Sequence, residues 1–316
     1  MTYRPPAAPD RFAPRFAEVA TFMRAPLAEQ LEDADIGIFG VPHDGALTNR
    51  PGARHGPREV RNQSSLTRAI NYATKVDPFS LARVCDTGDV PFTQMFDIEA
   101  SHAEIEAFAA LHIAAGVMPL AIGGDHSVSL PLLRAVAKDG PVALIHVDAH
   151  TDTWDSFQGS KFNHGAPFRR AAEEGLIDPE ATIQIGIRGT QNLADGWVYS
   201  EKSGMRVVFC EEFHERGPAA IAAEASALVG DRPVYLTYDI DSLDPVYAPG
   251  TGTPEIGGMT TYQAQALLRG LRGLNWVGAD LVEVSPPFDT GYVTALAGAG
   301  LAFEILCLLA ERVAAD

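Results

Sequence analysis

Along the chain, short apolar runs rich in β-branched residues alternate with longer stretches whose apolar positions recur every three or four residues. The short runs are DIGIFGV from Asp35, ARVCDTGDV from Ala82, PLAIGG from Pro119, VALIHVD from Val142, TIQIGIRG from Thr182, RVVFC from Arg206, PVYLTYDID from Pro233 and VGADLVEV from Val277. Runs of this length, bounded by polar residues or glycine, read as strands buried on both faces. Between them lie helical patterns, among them SHAEIEAFAALHIAAG from Ser101 and TYQAQALLRGLRGL from Thr261, which Thr260 or Thr261 is placed to cap. The alternation predicts an α/β fold with a mostly parallel sheet, roughly eight-stranded, covered on both faces. No repeat, low-complexity tract or linker divides the sequence. Residues 31–316 are therefore expected to form one domain, preceded by an extended arm over residues 1–30.

Sheets of this kind bind ligands at the carboxyl ends of their strands. The polar clusters fall at those ends: Gly124-Asp125-His126 after PLAIG, Asp148 to Asp152 after VALIHV, Asp239 to Asp241 after VYLTY, and Glu283 after ADLV. In extended chain every second side chain points the same way, so Asp148, His150 and Asp152 can face one point, as can Asp239 and Asp241. With His126 the set comprises four carboxylates and two imidazoles and no thiolate. Such a donor set suits Mn²⁺ or another borderline divalent ion better than a structural zinc. A single DxH or DxD after a strand is usually a turn or a helix cap. Six such residues together are different, because clustered carboxylates without cations repel one another and are costly to desolvate. Six ligands are too many for one ion and natural for two, an arrangement that activates a water between ions about 3.5–4 Å apart. By contrast Asp125, Asp155 and Asp244 read as turn or cap residues, and His146 as support.

Composition narrows the functional classes. Acidic residues outnumber basic ones 41 to 24, for a formal charge of -17, which argues against nucleic acid or an anionic membrane as partner. The same charge keeps the protein soluble or helps collect a cationic substrate. Cys85, Cys210 and Cys307 are far apart and lack CxxC spacing, so neither a disulfide framework nor a zinc knuckle is expected. The proline-rich start, MTYRPPAAPDRF, lacks the apolar core of a signal peptide, and Glu304 interrupts VTALAGAGLAFEILCLLAERV, which reads as a packed helix. A cytoplasmic location is the expectation.

Further residues suggest the chemistry. His164, in KFNHGAPF, is placed one loop beyond the metal strand as a proton shuttle for a leaving amine. Glu283, which ends an apolar strand before Pro286-Pro287, could pair with a planar guanidinium. AIGGDHS is a weak candidate for a phosphate cradle, with no GxGxxG or P-loop pattern. The basic stretch from Asn49 to Arg61 reads as an anion site or, more simply, a shaped loop or subunit contact, with Pro57 placed to open a helix. The loop from Trp154 to Asn163 is placed to shape the pocket for a substrate's tail. Its Phe157 lacks the hydroxyl or charge that a carboxylate tail would favour, and packing of the loop is the alternative role for Trp154 and Phe157.

With these residues in place the chain resembles the ureohydrolases of the arginase–agmatinase family. The matching motifs are GGDHSVSLP, HVDAHTD, YDIDSLDPVYAPGTGTPEIGG and DLVEVSPPFDTGYVTALA, and the likeness covers residues 10–312. NHGAPFRRAAEEGLIDP and RPGARHGP resemble the agmatinase and guanidino-acid hydrolase branch more than the arginases. The resemblance implies a three-layer α/β/α fold, a binuclear Mn²⁺ site with Ni²⁺ as the alternative, and hydrolysis of a guanidino group to urea and an amine. It assigns His126, Asp148, Asp152 and Asp239 to one ion and Asp148, His150, Asp239 and Asp241 to the other. His164 takes the acid/base position, Glu283 the guanidinium anchor, and Thr253 a place close to the metals. Candidate substrates are 3-guanidinopropionate, 4-guanidinobutyrate and agmatine. Guanidine or a biguanide with Ni²⁺, a subunit of a hetero-oligomer, and a formimino or amide hydrolase are the alternatives. Relatives imply a trimer or hexamer.

Overall fold

A computed structural model of the chain describes residues 14–191 and 195–315. Its centre is one sheet of eight strands: β1 (Ile36–Val41), β2 (Val84–Asp89), β3 (Met118–Gly123), β4 (Val142–Val147), β5 (Ile177–Ile187), β6 (Arg206–Phe209), β7 (Val234–Asp239) and β8 (Trp276–Val282). Every pairing is parallel, in the order β2-β1-β3-β8-β7-β4-β5-β6. Among the described residues ten helices accompany it: α1 (Gly56–Ser64), α2 (Pro78–Leu81), α3 (Ile98–Ala114), α4 (Ser129–Val136), α5 (Pro167–Glu173), α6 (Asp195–Ser203), α7 (Cys210–Arg216), α8 (Pro218–Val229), α9 (Thr261–Gly270) and α10 (Val293–Val313).

The period of two along each strand divides the core between the two faces of the sheet. Ile36, Ile38, Leu120, Ile122, Ile145 and Ile183 pack with α1, α8, α9 and α10, whereas Phe39, Val41, Ala121, Leu144 and Tyr235 pack with α3, α4 and α5. This is the three-layer α/β/α arrangement, and all eight strands expected from the sequence are present. Two element starts differ by three residues or more. The strand placed at Thr182 begins at Ile177, with an irregular register against β4 where Asp178, Pro179 and Glu180 interrupt the apolar run. Helix α3 begins at Ile98 rather than Ser101, because the Asp97 side chain accepts from Ala100 N and caps it. Thr260 caps α9 in a reciprocal pair with Gln263.

Helix α10 is long and apolar enough to cross a membrane by length and composition, yet 78% of its most apolar window is buried inside the protein. Its Glu304 is bound by Arg269 and by Asn71 Nδ2 at 2.8 Å. Of the arm expected over residues 1–30, residues 1–13 lie outside the described residues. Residues 14–30 form turns and a short 3-10 segment, Phe22–Arg24, with Phe22 buried, while Ala28 N donates to Asp86 O on the sheet edge.

Candidate active site

The strand order makes β3, β8, β7 and β4 consecutive neighbours in the middle of the sheet. Their carboxyl ends carry His126, Glu283, Asp239 with Asp241, and Asp148 to Asp152. The four polar clusters read separately along the chain therefore meet on one rim, as parallel topology requires. Backbone approach there is tight. A Cβ at Gly124 would lie 1.8 Å from His43 O, so only glycine fits between β3 and the loop after β1. Asp152 and Glu283 both have positive φ, 48° and 66°, a conformation that non-glycine residues adopt at a cost and that concentrates at functional sites.

Two histidines organise the carboxylates. His126 Nδ1 lies 2.9 Å from Asp148 Oδ2, 2.9 Å from Asp152 Oδ2 and 3.2 Å from Asp239 Oδ2. Its Nε2 meets Thr237 Oγ1 at 2.8 Å. His150 Nδ1 lies 3.1 Å from Asp241 Oδ2 and 3.4 Å from Asp148 Oδ1. Backbone donors tie the acids further: His150 N to Asp148 Oδ1, Asp241 N to Asp239 Oδ1 and Ala149 N to Asp241 Oδ1. Thr253 Oγ1 donates to Asp241 Oδ2 at 3.4 Å. Burial works against charge at His126, but the three carboxylates overcome it and hold its pKa well above the usual value. His150 is raised well above its usual value in the same way, against burial, by Asp241 and Asp148. Burial also pushes Asp239 well up, aided by Asp241 and Asp148, whereas the surrounding histidines hold Asp148 well below its usual range despite burial. A field that draws protons onto two imidazoles is one that would draw metal cations in their place.

His146 is support for this cluster. Gln184 Nε2 donates to its Nδ1, so its Nε2–H is directed at Asp148 Oδ2, 2.7 Å away. Asp125 caps the turn His126–Val128 and accepts from Ala46 N. Asp244 accepts from the backbone of Val246, Gly257 and Gly258, and Asp155 pairs with Arg170 at 3.1 Å near the surface.

Beside the acids, His164 Nδ1 contacts Glu283 Oε1 at 2.9 Å, and its Nε2 contacts Thr48 Oγ1 at 2.7 Å. Glu283 Oε1 also accepts from His126 N at 2.9 Å, whereas buried Oε2 has no hydrogen-bond partner among the described residues. Burial opposes charge on His164, but Glu283 and, further off, Asp152 and Asp125 raise its pKa to about 9. Burial lifts the Glu283 carboxyl as well, which alone would favour a neutral pair. The 2.9 Å contact with His164 works against burial and favours the charged pair. Thr48 was not singled out from the sequence. Its position beside the basic stretch from Asn49 was the available signal, and only the fold carries that stretch to His164.

A cavity of about 540 Å³ opens over the cluster, lined by Thr48, Arg50, His150, Trp154, His164 and Thr253 among others. Asp152 and Asp239 reach its floor. Two residues of the loop placed at the substrate tail lie elsewhere. Phe157 stacks behind Trp154, ring centroids 5.9 Å apart, and Asn163 spans its own loop, donating to Ser160 O and accepting from Gly165 N. Gly165 lets the backbone lie against the Trp154 ring, where a Cβ would come within 2.8 Å of Cε3. In the basic stretch Arg54 pairs with Asp44, and Arg61 pairs with Asp86 and Asp89. Arg50 faces the cavity and lies over the Phe288 ring at 5.2 Å.

The guanidinopropionase of Pseudomonas aeruginosa is 53% identical over 302 residues, covering 95% of each chain. Among solved structures, proclavaminate amidino hydrolase from Streptomyces clavuligerus superposes with a TM-score of 0.89 at 41% identity, covering 96% of this chain and 100% of that one. Formiminoglutamase from Trypanosoma cruzi with Mn²⁺ gives a TM-score of 0.82 at 26% identity, covering 92% and 99%. With residues 34–308 matching the Arginase family and the histidine–carboxylate cluster lying at the strand ends within that span, the chain belongs to the Arginase family.

Proposed function

We propose that the protein hydrolyses the guanidino group of a small guanidino compound to urea and an amine, with two divalent ions, Mn²⁺ in the first place and Ni²⁺ as the alternative. In this reading His126, Asp148, Asp152 and Asp239 would hold one ion, and Asp148, His150, Asp239 and Asp241 the other. The observation that carries it is a buried His126 Nδ1 ringed by three carboxylates, beside a glutamate with one oxygen unused. The donor set of carboxylates and imidazoles without thiolate suits Mn²⁺. When bound, two such ions supply Lewis acidity and a water activated near neutral pH.

The chain's own residues do the rest. Glu283 Oε2 accepts from the substrate's guanidinium N–H groups, and its negative charge complements the delocalised cation. His164, held between Glu283 and Thr48 and lining the cavity, carries a proton and gives it to the departing amine. Trp154 and Gly165 line the cavity beside His164. At the mouth, Arg50 offers a partner to a carboxylate tail and Glu255 to an ammonium tail. The likeness to a guanidinopropionase supports 3-guanidinopropionate ahead of 4-guanidinobutyrate and agmatine. The greater identity to that enzyme than to the formiminoglutamase favours a guanidino over a formimino substrate.

The test is urea release from a panel of guanidino compounds, each assayed with Mn²⁺ and with Ni²⁺. The reading expects urea from at least one ω-guanidino acid and near-complete loss in Asp148→Ala and Asp241→Ala. Near-normal urea release by either variant with saturating metal would refute it. We also infer a homo-oligomer, trimer or hexamer. Exposed Phe16, Val19, Leu66, Ile70 and Tyr72 support it, and light scattering on the purified protein decides. Three buried, unpaired cysteines accord with a cytoplasmic location.

A further inference from the structure

Asp280 is a buried carboxylate that the proposed chemistry leaves unused. It lies inside β8, in direct register with Thr237 on β7, and is completely buried. Its Oδ1 accepts from Thr237 Oγ1 at 2.6 Å and its Oδ2 from Tyr235 Oη at 2.9 Å. Thr237 has one hydroxyl hydrogen and gives it to Asp280. At its 2.8 Å contact with His126 Nε2 the same oxygen must therefore accept. A neutral His126 consequently carries its hydrogen on Nε2 and its lone pair on Nδ1, the atom that faces Asp148, Asp152 and Asp239. With the hydrogen on Nδ1 instead, the ring would donate to a carboxylate and offer nothing to a cation.

We propose that Asp280 is a positioning residue for the metal centre, acting through Thr237 to fix the tautomer and orientation of His126 so that Nδ1 is free to bind an ion. The inference rests on the metal-centre reading above. Strand geometry builds it in: Tyr235, Thr237 and Asp239 alternate onto one face of β7, so both hydroxyl donors to Asp280 and a carboxylate of the cluster share a row. The rings of Phe168 and His146, with centroids 5.0 and 5.2 Å from that of His126, pack against it, leaving Thr237 to set its hydrogen. A buried acid with no Lys or Arg contact among the described residues is costly to keep, and burial leaves its carboxyl above the usual value, opposed only in part by His126 and the hydroxyl donors. Partners of this kind typically change metal affinity by roughly 10–100-fold.

The test is calorimetric titration of the metal-free full-length protein with Mn²⁺, with bound metal counted, for wild type, Thr237→Val, Thr237→Ser and Asp280→Asn. One ion should bind about 10–100-fold more weakly in Thr237→Val and in Asp280→Asn, with Thr237→Ser close to wild type. If Asp280→Asn does not fold, the two Thr237 variants decide, since valine keeps the shape and serine the hydroxyl. Equal affinity in wild type and Thr237→Val overturns the relay while leaving the metal centre intact. So does a Thr237→Ser as weak as Thr237→Val, which would assign the effect to packing. A wild-type protein that binds no Mn²⁺ overturns the metal centre and the relay together.

Discussion

At the scale of single residues, Glu283 meets two partners with one carboxylate oxygen and keeps the other free. His126 N and His164 Nδ1 converge on Oε1, while Oε2 is buried and unused. Glu283→Gln keeps the shape and removes the charge. Turnover should fall roughly 10²–10³-fold while two ions remain bound, read by urea assay and metal analysis on one sample. Turnover within a few-fold of wild type would remove Glu283 from the anchor position. Thr48 acts on the other nitrogen of His164. Thr48→Val should lower kcat roughly 10-fold with little change in KM, and Thr48→Ser should restore it, because a hydroxyl can pair with either protonation state of the ring. A KM effect alone would place Thr48 in substrate binding instead.

At the scale of elements, the apolar runs located all eight strands because a strand in a parallel sheet is buried on both faces and needs no alternation to be seen. The same runs marked where side chains turn polar, and those ends became the site. Asp280 shows where this reading stopped. Within VGADLVEV, Asp280 was visible as an interruption three residues before Glu283, but its partners are fixed by register with β7, which no local pattern contains. Thr48 was hidden for the same reason, since it reaches His164 across 116 residues of chain. Phe157 and Asn163 sat in the right loop, yet the loop's own packing directs them away from the cavity lining. Helix α10 makes a prediction at this scale. Glu304→Ala leaves Arg269 and Asn71 without their partner and should cost roughly 2–3 kcal/mol, less than a fully buried pair because Arg269 is partly exposed. Chemical denaturation measures it, and a change below about 0.5 kcal/mol would show the pair to be incidental.

At the scale of the whole molecule, a net charge of -17 surrounds a core of clustered carboxylates, so the fold and its ions should be thermodynamically linked. Without metal, protonated histidines stand in for the missing cations. His164 is raised from 6.5 to about 9, and His126 and His150 are raised well above 6.5. A raised histidine contributes stability that is fully present below its unfolded pKa and is lost as pH rises through the folded one. The melting temperature of metal-free protein should therefore fall as pH rises from about 6.5 to about 9, and Mn²⁺ should reduce that fall. A flat profile without metal would contradict the cluster's electrostatics. The central claim, that this cluster hydrolyses guanidino compounds with two ions, is tested most directly by urea release from 3-guanidinopropionate as metal-free protein is titrated with Mn²⁺. The account predicts none without metal and a rise that reaches its plateau at two ions per chain. A plateau at one ion, or urea released by the metal-free protein, would contradict it.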